Sequence, residues 1–358
     1  MPMARYYRTV SVLPFYLSLL FPLGVLNGYR MGGWLTFSVV LVAFVAIPLL
    51  DPLLGRRESN PTEEECERGE RQWRWRWPLY LFVIEEYLLL ALAMGWMIHQ
   101  DLSALEWIGL TVSTGVITGA IGITIAHELI HRRHPGERAL GELLLINVCY
   151  HHFTVEHVAG HHQNVATPKD PATARKGESF YRFYLRTVVG SFRSAWKLEK
   201  RRLQRQGLSP IRWNNRVLYG LIAQGILLIS LSLGFGWQAG VFFLAQSWIA
   251  FSLLELVNYV EHYGLERKEI APGKFEKVGP QHSWDASNRL TNWFLFHLQR
   301  HADHHRYPTR RFQSLRLMDG SPRLPTGYAG MLLLAVVPPL WRRVMHPRLQ
   351  ALADASAG

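Results

Sequence analysis

Apolar blocks about as long as a bilayer is thick constrain the fold of this chain more than any other feature. There are six of them, and they lie at residues 11–29, 33–53, 78–98, 106–130, 216–234 and 238–260. A helix needs about 20 mainly apolar residues to cross a membrane, and a helix satisfies its own backbone polar groups in lipid. We therefore predict an all-α polytopic membrane protein with six transmembrane helices, in which residues 1–358 form a single membrane-embedded domain.

The distribution of Lys and Arg predicts how these helices are oriented. All but Arg30 of the 39 basic residues lie in the termini and loops on one side of the six predicted helices. Short basic loops stay in the cytoplasm. We therefore expect both termini and the segments 131–215 and 261–358 to lie on the cytoplasmic side of the inner membrane. No cleavable signal peptide is expected, because block 11–29 lacks a small-residue cleavage site and another span follows it at once.

Nine of the sixteen histidines fall in four short clusters beside apolar blocks. They are His127 and His131; His157, His161 and His162; His262; and His301, His304 and His305. Residues three and four apart share one face of a helix, and neutral imidazole is a ligand for iron, copper, nickel and zinc. Since one ion rarely takes more than about four to six ligands, nine imidazoles indicate two metal ions.

Acidic residues accompany these clusters, notably Glu128, Glu261 and Asp303, with Asp170 after the second cluster. Metal-bound histidines usually donate their second ring N–H to a carboxylate or a carbonyl group. We interpret these acids as such supporting groups for catalysis. Bridging carboxylates of helical di-iron bundles would predict a repeated Glu-x-x-His motif, and this chain does not repeat one.

Residues 127–131, His-Glu-Leu-Ile-His, also match the zinc-protease motif in which the glutamate is the general base. A membrane zinc metalloprotease is thus an alternative, but it needs only one further ligand, whereas seven more clustered histidines are present. A metal transporter would place its ligands near the middle of the membrane, and these clusters lie at helix ends. A redox site that the substrate reaches from the lipid is favoured over both the protease and the transporter.

The cysteine content bears on the source of electrons. Cys66 and Cys149 are the only cysteines and form no Cys-x-x-Cys pair, so no iron–sulfur site is expected in this chain. A formal net charge of +12 would attract a small acidic electron carrier. Arg310 and Arg311, which closely follow the last histidine cluster, are the candidate docking charges.

Several motifs resemble those of the integral-membrane di-iron alkane 1-monooxygenases (alkane omega-hydroxylases) of the fatty-acid desaturase and hydroxylase superfamily. They are His-Glu-Leu-Ile-His at 127–131, Asn-Tyr-Val-Glu-His-Tyr-Gly at 258–264 and Leu-Gln-Arg-His-Ala-Asp-His-His at 298–305. The resemblance runs from the first apolar block to about Leu349. It implies two iron ions in a non-haem di-iron centre, with the nine clustered histidines as metal ligands. His297, four residues before His301, is a candidate for a supporting or substitute ligand.

The same resemblance implies terminal hydroxylation of medium- to long-chain n-alkanes to primary alcohols with O₂. The electrons would come from a rubredoxin that binds in trans and is reduced by an NAD(P)H-dependent reductase. A related membrane hydroxylase or desaturase of fatty-acyl or alkyl-aromatic substrates is the closer alternative. Membrane lipid is an expected partner, and nucleic acid is not.

Overall fold

Helices form almost all of the regular structure in residues 11–99 and 101–357, which the computed structural model describes. The N-terminal α-helices are α1 (Phe21–Met31), α2 (Ser38–Leu41), α3 (Ile47–Leu54), α4 (Glu63–Arg71), α5 (Trp77–His99), α6 (Ala104–Val116) and α7 (Ile123–Ile130). The remaining α-helices are α8 (Pro135–Asn147), α9 (Phe153–Val155), α10 (His162–Asn164), α11 (Phe180–Arg205), α12 (Arg216–Phe235), α13 (Trp237–His262), α14 (Arg289–Phe294), α15 (His301–Arg306), α16 (Tyr328–Ala335) and α17 (Pro338–Ala357).

Three π-helical segments and several 3-10 turns interrupt or extend these helices. The π segments are Val42–Ala46, Ile117–Gly122 and Glu156–His161. Strands β1 (Glu269–Ala271) and β2 (Lys274–Phe275) form one small antiparallel hairpin. The 3-10 turns are Leu13–Leu20, Gly33–Phe37, Trp73–Trp75, Pro280–His282 and Phe312–Ser314.

In the part of the chain that the structure describes, five continuous helical stretches are long and apolar enough to cross a membrane. They are Gly33–Leu54, Trp73–Ile98, Ala104–Ile130, Arg216–Phe235 and Trp237–His262. These match the second to sixth predicted spans, so the helical membrane class is confirmed. The first predicted span, 11–29, corresponds to the 3-10 turn Leu13–Leu20 and α1, and it is not among the five. A sixth span therefore stays a prediction.

The stretch Ala104–Ile130 is the central helix of the bundle. In the most apolar 18-residue segment of this helix, 83% of the residues are buried inside the protein. In the corresponding segment of Arg216–Phe235, 11% are buried. Close packing at the centre depends on small residues, as in other membrane helix pairs. A Cβ atom at Gly119 would lie 2.7 Å from the Cα atom of Ala250 on α13, so only glycine allows this approach.

Helix α8 turns back along α7 and returns the chain into the bundle. Gly141 packs against Ala126 and Ile130. At the far end of α8, the Asn147 side chain donates a hydrogen bond of 3.3 Å to Glu86 on α5. The residues that follow α8 then return toward the C-terminal end of α7. This reversal brings the second histidine cluster against the first.

Candidate metal centre

The nine predicted histidines meet in the protein interior as two adjacent groups. The first group consists of His127, His131, His157, His162 and His304. The second group consists of His161, His262, His301 and His305. Within each group, one nitrogen from every ring lies within 4.8 Å of the others. The four sequence clusters thus become one composite site with two centres.

Ring nitrogens face one another at hydrogen-bonding distance, but there are more such contacts than the available N–H groups can satisfy. The Nε2 atom of His162 lies 3.0 Å from that of His157 and 3.1 Å from that of His304. The Nε2 atom of His301 lies 3.2 Å from that of His262, and 3.0 Å from that of His305. A neutral imidazole carries one N–H and one lone pair, so several lone pairs converge without a proton between them.

Other ligand nitrogens are buried with no partner at all. The Nε2 atoms of His127, His131 and His161 make no hydrogen bond to any described residue. An unpaired buried polar atom is costly, and a cation placed among these lone pairs would remove that cost. All-nitrogen donor sets of five and four suit a transition-metal ion such as iron, copper or zinc. The residues present therefore fit a bound metal in each group.

A π-helical turn decides how the second cluster is divided between the two groups. Residues Glu156–His161 form a π segment, whose hydrogen bonds run from i to i+5 instead of i to i+4. His157 therefore lines up with His162, five residues later, and both belong to the first group. His161 instead points into the second group. An ordinary α-helix would have put His157 and His161 on one face.

The short helix α15 also contributes histidines to both groups. His301 and His305 are four residues apart and belong to the second group, while His304 belongs to the first. Two contacts hold the helix in place. The Asp285 carboxylate accepts a hydrogen bond of 2.9 Å from the Ala302 N–H. The guanidinium group of Arg310 donates to both carboxylate oxygens of Asp303, at 2.6 and 2.7 Å.

Burial favours the neutral form of several of these rings. Burial lowers the pKa of His162, His304 and His305 well below its usual range, and neighbouring histidines lower it further. Neutral imidazole is the form that ligates metals. The Nδ1 atom of His161 lies 2.9 Å from the Asp170 carboxylate. That contact favours the tautomer with the proton on Nδ1, which leaves the Nε2 lone pair directed at the second group.

The three predicted acids occupy different positions. Of these three acids, Glu261 contacts a ring nitrogen, because its Oε2 atom lies 3.2 Å from the Nε2 atom of His301. Glu128 accepts a hydrogen bond of 3.3 Å from the Phe312 N–H and lies 3.4 Å from Arg132. Asp303, as described above, pairs with an arginine. Glu128 and Asp303 therefore brace the histidine-bearing segments rather than touch the rings.

Sequence reasoning missed Tyr328. Its hydroxyl donates a hydrogen bond of 2.9 Å to the Oε1 atom of Glu261, and the ring is fully buried. The only signal in the sequence was a polar group at the start of an apolar stretch. His297 lies outside both groups, because its Nδ1 atom contacts the Phe312 carbonyl at 3.0 Å and its ring packs edge-on against Phe15.

Arg310 and Arg311, the predicted docking charges, are both engaged in ion pairs inside the protein, and their role in docking a carrier stays a prediction. Arg310 forms the bidentate pair with Asp303, and Arg311 pairs with Glu137 at 2.9 Å. Both side chains are mostly buried in these contacts. Their charges are therefore largely neutralised within the protein.

An apolar cavity adjoins both groups. His127, His157 and His301 lie in its wall, together with Glu261 and Tyr328. The rest of the wall comes mainly from aliphatic and aromatic side chains of the second, fourth and sixth predicted spans and of α14 and α16. All three π segments contribute residues to it, and π turns are frequent at functional sites. Among the described residues, no Lys or Arg lines the cavity.

Helix geometry sets the length of the cavity. Lining residues of the central helix extend from Val116 to His127, which is roughly 16 Å at the usual rise per residue. The wall therefore runs along about three turns of the central helix and is mainly apolar, which suits a hydrocarbon chain with one end at the histidines.

Comparison with known proteins gives a consistent result. The model of the fatty acid desaturase family matches residues 102–332. Alkane 1-monooxygenase 2 of Pseudomonas aeruginosa is 46% identical over 322 residues, which cover 89% of this chain and 84% of that protein. Alkane 1-monooxygenase of Pseudomonas putida is 40% identical over 319 residues, covering 88% and 79%. The hydroxylase component of a xylene/toluene monooxygenase of Pseudomonas putida is 31% identical over 248 residues, covering 69% and 65%.

Proposed function

We infer that this chain, which belongs to the fatty acid desaturase family and within it to the alkane 1-monooxygenases, hydroxylates the terminal carbon of medium- to long-chain n-alkanes. One atom of O₂ enters the primary alcohol and the other leaves as water, with two protons and two electrons consumed. The electrons come from a separate rubredoxin, which an NAD(P)H-dependent reductase reduces. The observation that carries this proposal is the apolar cavity that ends at both histidine groups.

The lining of the cavity supports a hydrocarbon over a fatty acid. A buried carboxylate requires a cation or several hydrogen-bond donors, and no Lys or Arg of the described chain lies in the wall. An alkane needs only apolar surface, and each buried methylene contributes about 0.8 kcal/mol. The similarity to a xylene/toluene monooxygenase component makes the methyl groups of alkylbenzenes the second candidate substrate.

We assign one iron ion to each histidine group, with the nine histidines as ligands. The first ion would be held by His127, His131, His157, His162 and His304, and the second by His161, His262, His301 and His305. Bound iron would supply the activation of O₂, which no side chain can provide. Residues 1–358 act in this proposal as a single membrane-embedded hydroxylase domain.

The side chains around the groups prepare the site for this chemistry. Asp170 fixes the tautomer of His161, and Tyr328 orients the Glu261 carboxylate against His301. The apolar wall excludes water, so a reactive centre is protected from side reactions. The same wall holds the end of an alkane beside His127 and His157. Positioning of this kind supplies much of the catalytic advantage in such a site.

The positive-inside distribution supports an inner-membrane location with the histidine groups on the cytoplasmic side. Of the basic residues only Arg30 lies on the other side of the predicted spans. A soluble cytoplasmic rubredoxin would then reach the histidine-bearing face, and the alkane would enter from the lipid.

The test uses membranes that contain the chain together with rubredoxin and its reductase. Alkanes of graded length are supplied, and the products are identified by gas chromatography and mass spectrometry. We expect 1-alkanols and about two irons per chain. The matched control is His346→Ala, since His346 belongs to neither group, whereas His301→Ala should abolish product formation. Alkenes would instead indicate a desaturase, and about one zinc with peptide cleavage would indicate a protease.

A further inference from the structure

Helix α11 carries an apolar stripe that lies open to its surroundings. The inner face of the helix packs on the protein through residues three or four positions apart, from Phe180 to Leu203. On the outer face, Tyr181, Leu185 and Val189 are 57%, 70% and 48% exposed. Residues four apart share one side of a helix, so these side chains form a continuous stripe, which we call the α11 stripe. Exposed apolar surface of this kind marks a contact with another molecule or with lipid.

Basic side chains run along one border of the α11 stripe. They are Arg182, Arg193, Lys197 and Lys200, all of which are exposed. In residues 11–99 and 101–357, none of these four has a carboxylate within ion-pairing distance, whereas Arg186 and Arg202 of the same helix pair with glutamates. A helix whose apolar face is bordered by Lys and Arg is suited to lie in the plane of a membrane interface.

Two contacts fix α11 relative to the membrane spans. The buried carboxylate of Glu199 accepts a hydrogen bond of 2.6 Å from Arg216, the first residue of α12. The hydroxyl groups of Tyr184 and of Ser252 on α13 lie 2.8 Å apart. In the segment between α11 and α12, Trp213 is 78% exposed, and tryptophan favours the headgroup level of a bilayer. The α11 stripe is therefore held beside the end of a span, where headgroups lie.

A crevice opens between α11 and α12 next to the α11 stripe. Its apolar wall consists mainly of Val188, Val189, Phe192, Val217, Leu221 and Phe251. Arg193 and His152 also line it. The Nε2 atom of His152 is buried and makes no hydrogen bond to any described residue, and a neutral imidazole can donate one hydrogen bond. The crevice thus combines an apolar wall with a cation and a hydrogen-bond donor.

We propose that α11 lies in the membrane interface and that the crevice beside Arg193 binds one anionic phospholipid. The lipid phosphate pairs with Arg193 and accepts a hydrogen bond from His152, and an acyl chain lies between α11 and α12. The inference goes beyond the proposed function and does not depend on it, because no residue of the crevice belongs to either histidine group.

Charge complementarity favours this occupant over two others. A neutral alkane would leave Arg193 and the other basic side chains of the border without a counter-charge. A second copy of this chain, paired through the same surface as in a symmetric dimer, would bring a second basic border close to the first. An anionic lipid surface instead attracts each nearby Lys or Arg, by roughly fivefold in affinity per residue.

The test measures lipid binding without any turnover. The purified chain in detergent micelles is titrated with phosphatidylglycerol and, separately, with phosphatidylcholine, and native mass spectrometry counts the lipids retained. The wild type should prefer phosphatidylglycerol. Arg193→Gln should weaken phosphatidylglycerol binding roughly fivefold and leave phosphatidylcholine binding unchanged. Arg201→Gln is the matched control, because it removes the same charge from an exposed position of α11 outside the crevice, and it should change binding less than about twofold.

A second pair of variants tests the acyl-chain part of the site. Val189→Trp should fill the crevice and weaken the binding of both lipids. Val241→Trp on α13 is the control, since Val241 is an exposed valine outside the crevice, and it should bind both lipids as the wild type does.

Three outcomes would overturn the lipid site. The first is equal phosphatidylglycerol affinity in Arg193→Gln and Arg201→Gln. The second is displacement of the lipid by inorganic phosphate together with wild-type binding in Val189→Trp, which would make the crevice an ion site. The third is a dimer of the wild type that Leu185→Gln dissociates, which would assign the α11 stripe to a second copy. Because hydroxylation is not measured, none of these results bears on the proposed function.

Discussion

The Nε2 atoms of His157 and His162 lie 3.0 Å apart, although the two residues are five positions apart in the chain. This pairing exists because residues Glu156–His161 form a π turn. The extra residue in that turn places the Nε2 atom of His162 beside that of His157, while His161, whose ring still lies 5.2 Å from that of His157, belongs to the second group. One irregular turn thus divides a three-histidine cluster between two centres.

Neighbouring histidines on α15 should therefore have separable effects on metal content. His304 belongs to the first group and His305 to the second. We expect His304→Ala and His305→Ala each to lose about one of the two metal ions, and the double variant to lose both, because removal of one ligand from a site of four or five weakens that site. Metal analysis of the purified protein measures this. Loss of both ions in each single variant would show that the two groups do not bind independently.

The π turn itself should be sensitive to a single methyl group. A Cβ atom at Gly160 would lie 2.5–2.7 Å from the carboxyl group of Glu156, which is buried. We expect Gly160→Ala to destabilise the protein by about 1–3 kcal/mol, as overpacking does, and to lower its metal content. Thermal unfolding and metal analysis test this. Gly95→Ala is the control, since nothing lies within 4 Å of a Cβ atom there. Equal unfolding temperatures for both variants would contradict the prediction.

Chain-length preference should respond to volume in the cavity wall. Ala43 lines the cavity and is buried, whereas the adjacent Val42 is 43% exposed and does not line it. Ala43→Phe should shift the product profile toward shorter alkanes at unchanged metal content. The larger side chain leaves less room for the substrate, and each substrate methylene that can no longer be buried lowers the binding free energy by about 0.8 kcal/mol. Competition among alkanes of graded length, read by gas chromatography, measures the shift. The control Val42→Phe should keep the wild-type profile, and the same shift in both variants would refute a role for the cavity.

Acid should weaken the fold through Glu199. Burial alone would raise the pKa of this carboxyl, but hydrogen bonds from Arg202 and Arg216 outweigh it and lower the pKa to about 2. Because the pKa of Glu199 is lower in the folded state than in the unfolded state, the ionised carboxylate stabilises the fold at any pH above the ordinary glutamate pKa. This stabilisation is lost as the pH falls toward the folded-state pKa. The difference in unfolding temperature between wild type and Glu199→Gln should thus be full at neutral pH and shrink below about pH 4.5.

An exposed ion pair provides the control for this pH effect. Glu64 pairs with Arg68 on the surface of α4, where both side chains are largely exposed. Such pairs contribute little to stability, so Glu64→Gln should match the wild type at every pH. A constant difference between Glu199→Gln and wild type from neutral to acid pH would show that the arginine pair does not lower the pKa of Glu199.

The sequence by itself determined the helical membrane class and selected the nine histidines that meet in the interior. Both properties are local. Segment length and apolarity predict spanning helices, and imidazoles three or four residues apart are recognisable without any tertiary contact. Arg310 and Arg311 show the limit of such reasoning. Their position close to His305 is evident from the sequence, but their ion pairs with Asp303 and Glu137 are not.

Tertiary structure alone decided how the histidines divide into groups of five and four and which acids touch them. The division depends on a π turn. An argument from residue spacing assumes 3.6 residues per turn and therefore cannot predict it. The contacts of Glu261 with Tyr328 and His301 join residues up to 67 positions apart. Such distances are set by which helices pack together, and that packing depends on the whole chain at once.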